Sequence, residues 1–114
     1  MTIEGKTYTV TYDETTVTLT FQGVLRLQNV AEGAPITQLL NEMAASAPEV
    51  IILDFVQLQL MNSTGLSIMT KFMFKMRDQN ASKVILRASE KHFWQKDLIR
   101  GLHRFMPESE LQWV

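Results

Sequence analysis

The apolar pattern changes its period near residue 30, and that change limits the fold more than any motif does. Residues 7–12, Thr-Tyr-Thr-Val-Thr-Tyr, alternate strictly, and so do residues 16–21, Thr-Val-Thr-Leu-Thr-Phe. β-Branched and aromatic residues at period two form strands with one buried face. Asp13, Glu14 and Thr15 read as a short turn between them, so the pair is expected to be an antiparallel hairpin. Gly23 is expected to close the second strand, because glycine takes backbone angles that other residues resist. Then Ile36, Leu39, Leu40, Met43 and Ala47 recur at helical spacing. Pro35 suits a first helical turn, where no N–H is needed, and Pro48 stops the helix.

Val50 to Leu53 is a short continuous apolar run, which suits a strand buried on both faces. Asp54 to Met61 reads as a connection, after which Asn62-Ser63-Thr64-Gly65 opens a second helix. Leu66, Met69, Phe72, Met73 and Met76, broadened by Ile68, form its inward face. Val84 to Leu86 is another buried strand. Ser89 is placed to cap a third helix, over which Trp94, Leu98, Leu102 and Phe105 recur, with Gly101 ending or fraying it early. Leu111 to Val114 completes the pattern as a last short strand. The order β-β-α-β-α-β-α-β predicts an α/β fold with right-handed crossovers. Its mixed, mostly parallel sheet would start from an N-terminal hairpin. At 114 residues, with no repeat or linker, the chain is expected to be one domain spanning 1–114. Sites in such sheets favour the carboxyl ends of strands near helix N-termini, which singles out residues 62–65.

Composition removes several chemistries. With no cysteine there is no disulfide, thiol nucleophile or thiolate metal site. His92 and His103 are too few for an all-histidine zinc site and not spaced as a helical metal pair, so no metal and no cofactor are expected. No Walker sequence, Gly-x-Gly-x-x-Gly or Gly-x-Ser-x-Gly elbow occurs. No apolar run approaches the ~20 residues of a membrane span, and Met1 to Lys6 lacks signal-peptide order. A cytoplasmic protein without membrane insertion is therefore expected, and its two glycosylation sequons, at Asn62 and Asn80, are accidental. The net charge of −1 provides no whole-domain attraction for nucleic acid. The charge is nevertheless divided. Residues 1–57 hold two bases against seven acids, and residues 58–114 hold nine bases against five.

The segment Asp54-Phe55-Val56-Gln57-Leu58-Gln59-Leu60-Met61-Asn62-Ser63-Thr64-Gly65-Leu66 carries the most chemistry. Its plainest role is a helix cap, in which Asn62, Ser63 or Thr64 accepts a backbone N–H bond. The same geometry favours a phosphate, since a helix start has free donors and the positive end of the macrodipole. The spacing Asp-x-x-x-Leu-x-x-Met-Asn-Ser-Thr-Gly-Leu resembles the signature of STAS domains, particularly bacterial anti-sigma factor antagonists. So do the element order and the segment Phe21-Gln22-Gly23-Val24-Leu25.

The resemblance implies a signal-transducing phosphoprotein that regulates transcription by partner switching. An anti-sigma-type serine kinase would phosphorylate the first hydroxyl of the motif, here Ser63, with Thr64 as second candidate. A serine/threonine phosphatase would reset it. Met61, Asn62, Gly65 and Leu66 would contact the partner, Gly65 by admitting it to the backbone. Asn62 stands where the family has aspartate. The chain also ends soon after its last strand, where antagonists continue into a fourth helix, which predicts an uncovered apolar surface.

Two further surfaces stand out. Met61, Leu66 and Phe74 are candidates for an exposed apolar patch. Lys91, Lys96, Arg100 and Arg104 line the third helix and suit an acidic partner. The competing functions are a STAS subunit of a transport or stress-signalling assembly without a phospho-switch, and an enzyme using Ser63 as nucleophile. The oligomeric state is not legible in the sequence.

Overall fold

A computed structural model describes residues 1–114. The strands are β1 (Thr2–Glu4), β2 (Tyr8–Asp13), β3 (Thr18–Leu25), β4 (Val50–Met61), β5 (Lys83–Ala88) and β6 (Glu110–Trp113). They lie in one sheet in sequential order. β1, β2 and β3 form an antiparallel meander, while β3 to β6 are parallel. The parallel strands are joined by α1 (Ala34–Ser46), α2 (Ser63–Gln79) and α3 (Phe93–Phe105). The expected mixed α/β sheet is thus present, with one further strand, β1, at its edge.

Each crossover advances one strand in the same direction. Right-handed crossovers repeated in one direction put every helix on the same face of the sheet. Leu19, Phe21, Leu53, Phe55 and Leu86 point into that layer and are fully buried, with Phe21 stacked on Phe55 at 5.0 Å. The helices meet them with Leu39, Leu40 and Met43, then Met69, Met73 and Met76, then Ile99 and Leu102. On the other face, one cross-strand row runs through all six strands: Thr2, Thr11, Thr20, Asp54, Arg87, Gln112. Arg87 hydrogen-bonds both Gln112 and Asp54, the latter at 3.4 Å. The uncovered surface is therefore polar along this row, where an apolar one was expected. Ile52 and Ile85 sit half-buried beside it.

Several local expectations are corrected. Gly23 lies inside β3, at φ +85°, where a Cβ would collide with the Thr7 carbonyl. The neighbouring Val24 exchanges two hydrogen bonds with Thr7, N–H to oxygen at 2.9 Å and Thr7 Oγ1 to the Val24 carbonyl at 2.8 Å. β3 slips register against β4 here, so the glycine marks a bulge and not an end. The stretch Asp54–Met61 is strand, continuous with Val50. The bulges break its alternation, which hid it from a search for period two. Pro48 stops α1 as expected, but Ala47, read as part of the inward face, lies just past the helix in the left-handed region and is exposed; Ala44 fills that face instead.

α3 also differs. Its cap residue is His92, which makes no capping bond, while Ser89 is buried three residues earlier and accepts from the Lys91 N–H at 3.2 Å. Gly101 lies within the helix, which continues to Phe105. The face turned to the sheet carries Gln95, Ile99 and Leu102. Trp94, Leu98 and Phe105 are half-buried on the side towards α2.

Candidate functional site

The site begins with a strand that outruns its neighbour. β4 makes its last pair with β5 at Asp54–Arg87, then continues to Met61 beside β3 alone. The open edge leaves carbonyls that must find donors if buried. Gln95, with no exposed surface, supplies them. Its Nε2 donates to the carbonyls of Val56 (3.1 Å) and Leu58 (2.9 Å), and its Oε1 accepts from the Ser89 N–H (2.7 Å). One side chain thus stands in for the missing stretch of strand. The supported overhang carries residue 62 to the carboxyl end of β3, where the Asn62 N–H donates to the Leu25 carbonyl at 3.1 Å.

Asn62 caps α2. Its Oδ1 accepts from the Gly65 N–H at 3.2 Å and from the Leu27 N–H at 3.3 Å, while its Nδ2 donates to the Leu27 carbonyl at 2.8 Å. The amide therefore pairs with the Leu27 backbone as another peptide group would, fastening the loop after β3 to the start of α2. A carboxylate could accept both bonds but has nothing to donate. This explains asparagine at a position where the resembled motif has aspartate.

Ser63 is the first residue of α2 and is exposed, whereas Thr64 is half-buried. No acid occupies the first turn. Ser67 and Thr70 follow on the outer face, so two turns of that face carry no negative charge. Ser63 and Thr64 form one end of a groove between α1 and α2 of about 450 Å³. Lys71 and Lys75 line it, and no histidine or carboxylate does. His92 and His103 are not brought together with Ser63. His92 starts α3, and His103 Nδ1 lies 2.9 Å from Ser109 Oγ.

Met61 and Leu66 share a second groove of about 370 Å³, between α2 and α3, with Trp94 and Phe105. Leu66, read both as an inward residue and as part of an exposed apolar patch, is 41% exposed. Phe74 does not line this groove; it lies half-buried against Phe105 at 4.9 Å, with the Arg77 guanidinium 4.8 Å above its ring. Gly65 has a packing role. It is buried, and a Cβ there would press on Met61 Cγ at 2.9 Å and Leu25 at 3.5 Å. Its smallness lets α2 sit against β3 and β4. In the basic set of α3, Lys96 lies 5.2 Å from the Phe93 ring and Arg100 lies 5.6 Å from the Trp113 ring.

Gln95, Leu27 and the lysines of the α1–α2 groove were missed by sequence reasoning. Gln95 did leave a signal. It sits at i, i+4, i+7, i+11 with Ile99, Leu102 and Met106, and a glutamine on an apolar stripe calls for buried hydrogen bonds.

No protein-family model matches the sequence, and no curated protein matches it either. Solved structures do. A chain in the crystal structure of the diguanylate cyclase SiaD in complex with its activator SiaC, from Pseudomonas aeruginosa, aligns with a TM-score of 0.77 and 14% identity, over 100% of this chain and 99% of that one. SiaC of Pseudomonas aeruginosa aligns with a TM-score of 0.67 and 12% identity, over 100% and 94%. An anti-sigma factor antagonist from Mycobacterium paratuberculosis aligns with a TM-score of 0.66 and 16% identity, over 96% and 90%. At such identities the likeness establishes the fold, which is STAS-like.

Proposed function

We propose, starting from this STAS-like fold, that the chain is a regulatory protein-binding module switched by phosphorylation of Ser63. One observation carries the reading. Ser63 is an exposed hydroxyl at the acid-free, positive end of a helix whose cap is already provided by its neighbour Asn62. A serine needed as the cap would have its oxygen engaged with the backbone. This one is free to be modified, and a phosphate added there meets a favourable dipole. The same phosphate adds roughly −1.5 to −2 charges to a neutral face and removes a contact made by that face.

The surface available to a partner is then Ser63 with Leu66 and Met61, and Thr64 is the second acceptor. Asn62 and Gly65 act from beneath it. The implied partners are an anti-sigma-type serine kinase and a serine/threonine phosphatase, with the switch acting in the cytoplasm on transcription. No helix is long and apolar enough to cross a membrane. A catalytic role for Ser63 needs a base hydrogen-bonded to it, and neither a histidine nor a carboxylate lines the groove beside it.

A second reading concerns the partner alone. SiaC is described as the activator of a diguanylate cyclase, and the backbone likeness to it favours a signalling enzyme as the protein bound here. Capture from native cells with wild type, Ser63→Ala and Ser63→Asp as bait tests both readings. The alanine variant is expected to retain the partner and the aspartate variant to lose it. Identification of the retained protein separates an anti-sigma kinase from another enzyme. Equal retention by both variants defeats the switch.

A further inference from the structure

The α1–α2 groove has an apolar floor of Leu40, Ile68 and Phe72, and a wall that carries Lys71 and Lys75. Elsewhere on the helices and sheet, Arg77 pairs with Asp78, Lys83 with Glu110 and Arg87 with Asp54. The groove lysines have no such partner, and neither do Lys96, Arg100 and Arg104 of α3, but only the groove sets its cations over an apolar floor. Lys75 Nζ donates to the neutral Asn41 Oδ1 across the groove at 2.8 Å, and Lys71 is exposed. No carboxylate lines the groove from either helix. Two uncompensated cations thus stand over an apolar floor, and Ser63 lies at the end of the same groove.

The complement of this surface is an acidic chain with an apolar anchor. We propose that the groove is the docking site for an acidic peptide segment of the protein partner, and that a phosphate on Ser63 expels the segment by placing negative charge at its end. The second half of this proposal rests on the switch reading above; the first half does not. A membrane surface fits less well. Of the apolar groups only Val30 at the rim is exposed, the rest forming a recessed floor, and two lysines fall short of the roughly 4–8 clustered cations that hold a protein to anionic lipid.

The test uses a short fluorescein-labelled peptide of glutamate and leucine, and a matched peptide with lysine in place of glutamate. Binding is followed by anisotropy and located by backbone amide shifts in the full chain. The glutamate peptide is expected to bind, to shift Asn41 and Lys71, and to weaken as salt is raised. The lysine peptide is expected not to bind. Combined Lys71→Glu and Lys75→Glu substitution, with the fold checked by its amide spectrum, is expected to weaken binding about tenfold or more. Unchanged binding by that variant, or shifts confined to another face, overturns the proposal. So does binding to phosphatidylserine vesicles with none to the peptide. If Ser63→Asp binds the peptide as tightly as wild type, expulsion fails while the groove stands. If no peptide binds and native capture still depends on Ser63, the groove fails while the switch stands.

Discussion

An aspartate at position 62 would keep only part of what asparagine does there. It could still accept from the Gly65 and Leu27 N–H groups, but its carboxylate would face the Leu27 carbonyl that Nδ2 now bonds at 2.8 Å. Losing one hydrogen bond costs about 1 kcal/mol, and leaving the carbonyl opposed by charge costs more. A negative cap returns about 0.5 kcal/mol through the helix dipole. Asn62→Asp is therefore predicted to destabilise the fold by about 1 kcal/mol, read as a lower urea midpoint at unchanged slope. Asn62→Ala, which loses the cap and both Leu27 bonds, is predicted to cost more. The order Asn above Asp in stability tests the bridge, because a simple cap would leave aspartate equal to asparagine. The neighbouring hydroxyls differ in burial: Ser63 is exposed and Thr64 is half-buried against the groove. That difference favours Ser63 as the acceptor.

The site depends on an element that was half legible. The helical periods around Met43, Met73 and Leu102 survive in the structure because each helix meets the sheet along one stripe. The strand from Val50 to Leu53 was visible for the same reason, as an unbroken apolar run. Its continuation to Met61 was not, since the bulged register puts both Phe55 and Leu58 inward, three residues apart. Strand β1 was hidden by its length of three residues. The motif 62–65 was legible as a helix start, yet the partners of Asn62 lie 35 residues away at Leu27, beyond any local pattern. Gln95 belongs to this scale. Gln95→Leu would leave the Ser89 N–H and the carbonyls of Val56 and Leu58 without partners. A loss of about 3 kcal/mol or more is predicted, with faster amide exchange along residues 55–61 than in β2. Equal exchange in both strands would show that the overhang is held by something other than this side chain.

At the scale of the whole molecule, the −5 and +4 halves of the sequence acquire positions. The acids fall mainly on the hairpin strands, α1 and their loops, and the bases on α2, β5 and α3. The basic half surrounds the helix that Ser63 begins, so phosphorylation would bring negative charge to the half best able to tolerate it. Stability at alkaline pH follows from the other half. Burial raises the Tyr8 phenol above 10, helped by Glu32, and burial also raises Tyr12, helped by Glu14 and Asp13. Below pH 10 both phenols are protonated whether the chain is folded or not. Above it the unfolded chain releases its protons first, so stability falls as pH rises through the folded values. Thermal unfolding between pH 8 and pH 11 is predicted to show a falling Tm beyond pH 10, with a smaller fall in Tyr8→Phe.

The central claim is that Ser63 is the modified residue of a partner switch, and site-localised phosphate measurement tests it most directly. Protein recovered from native cells across growth states is digested and the peptide containing residues 62–71 is sequenced by mass spectrometry. The prediction is a single phosphate on Ser63 in some states and its disappearance, with none gained at Thr64, in Ser63→Ala. An unmodified peptide in every state, or a phosphate confined to Thr64 or Ser67, would contradict it.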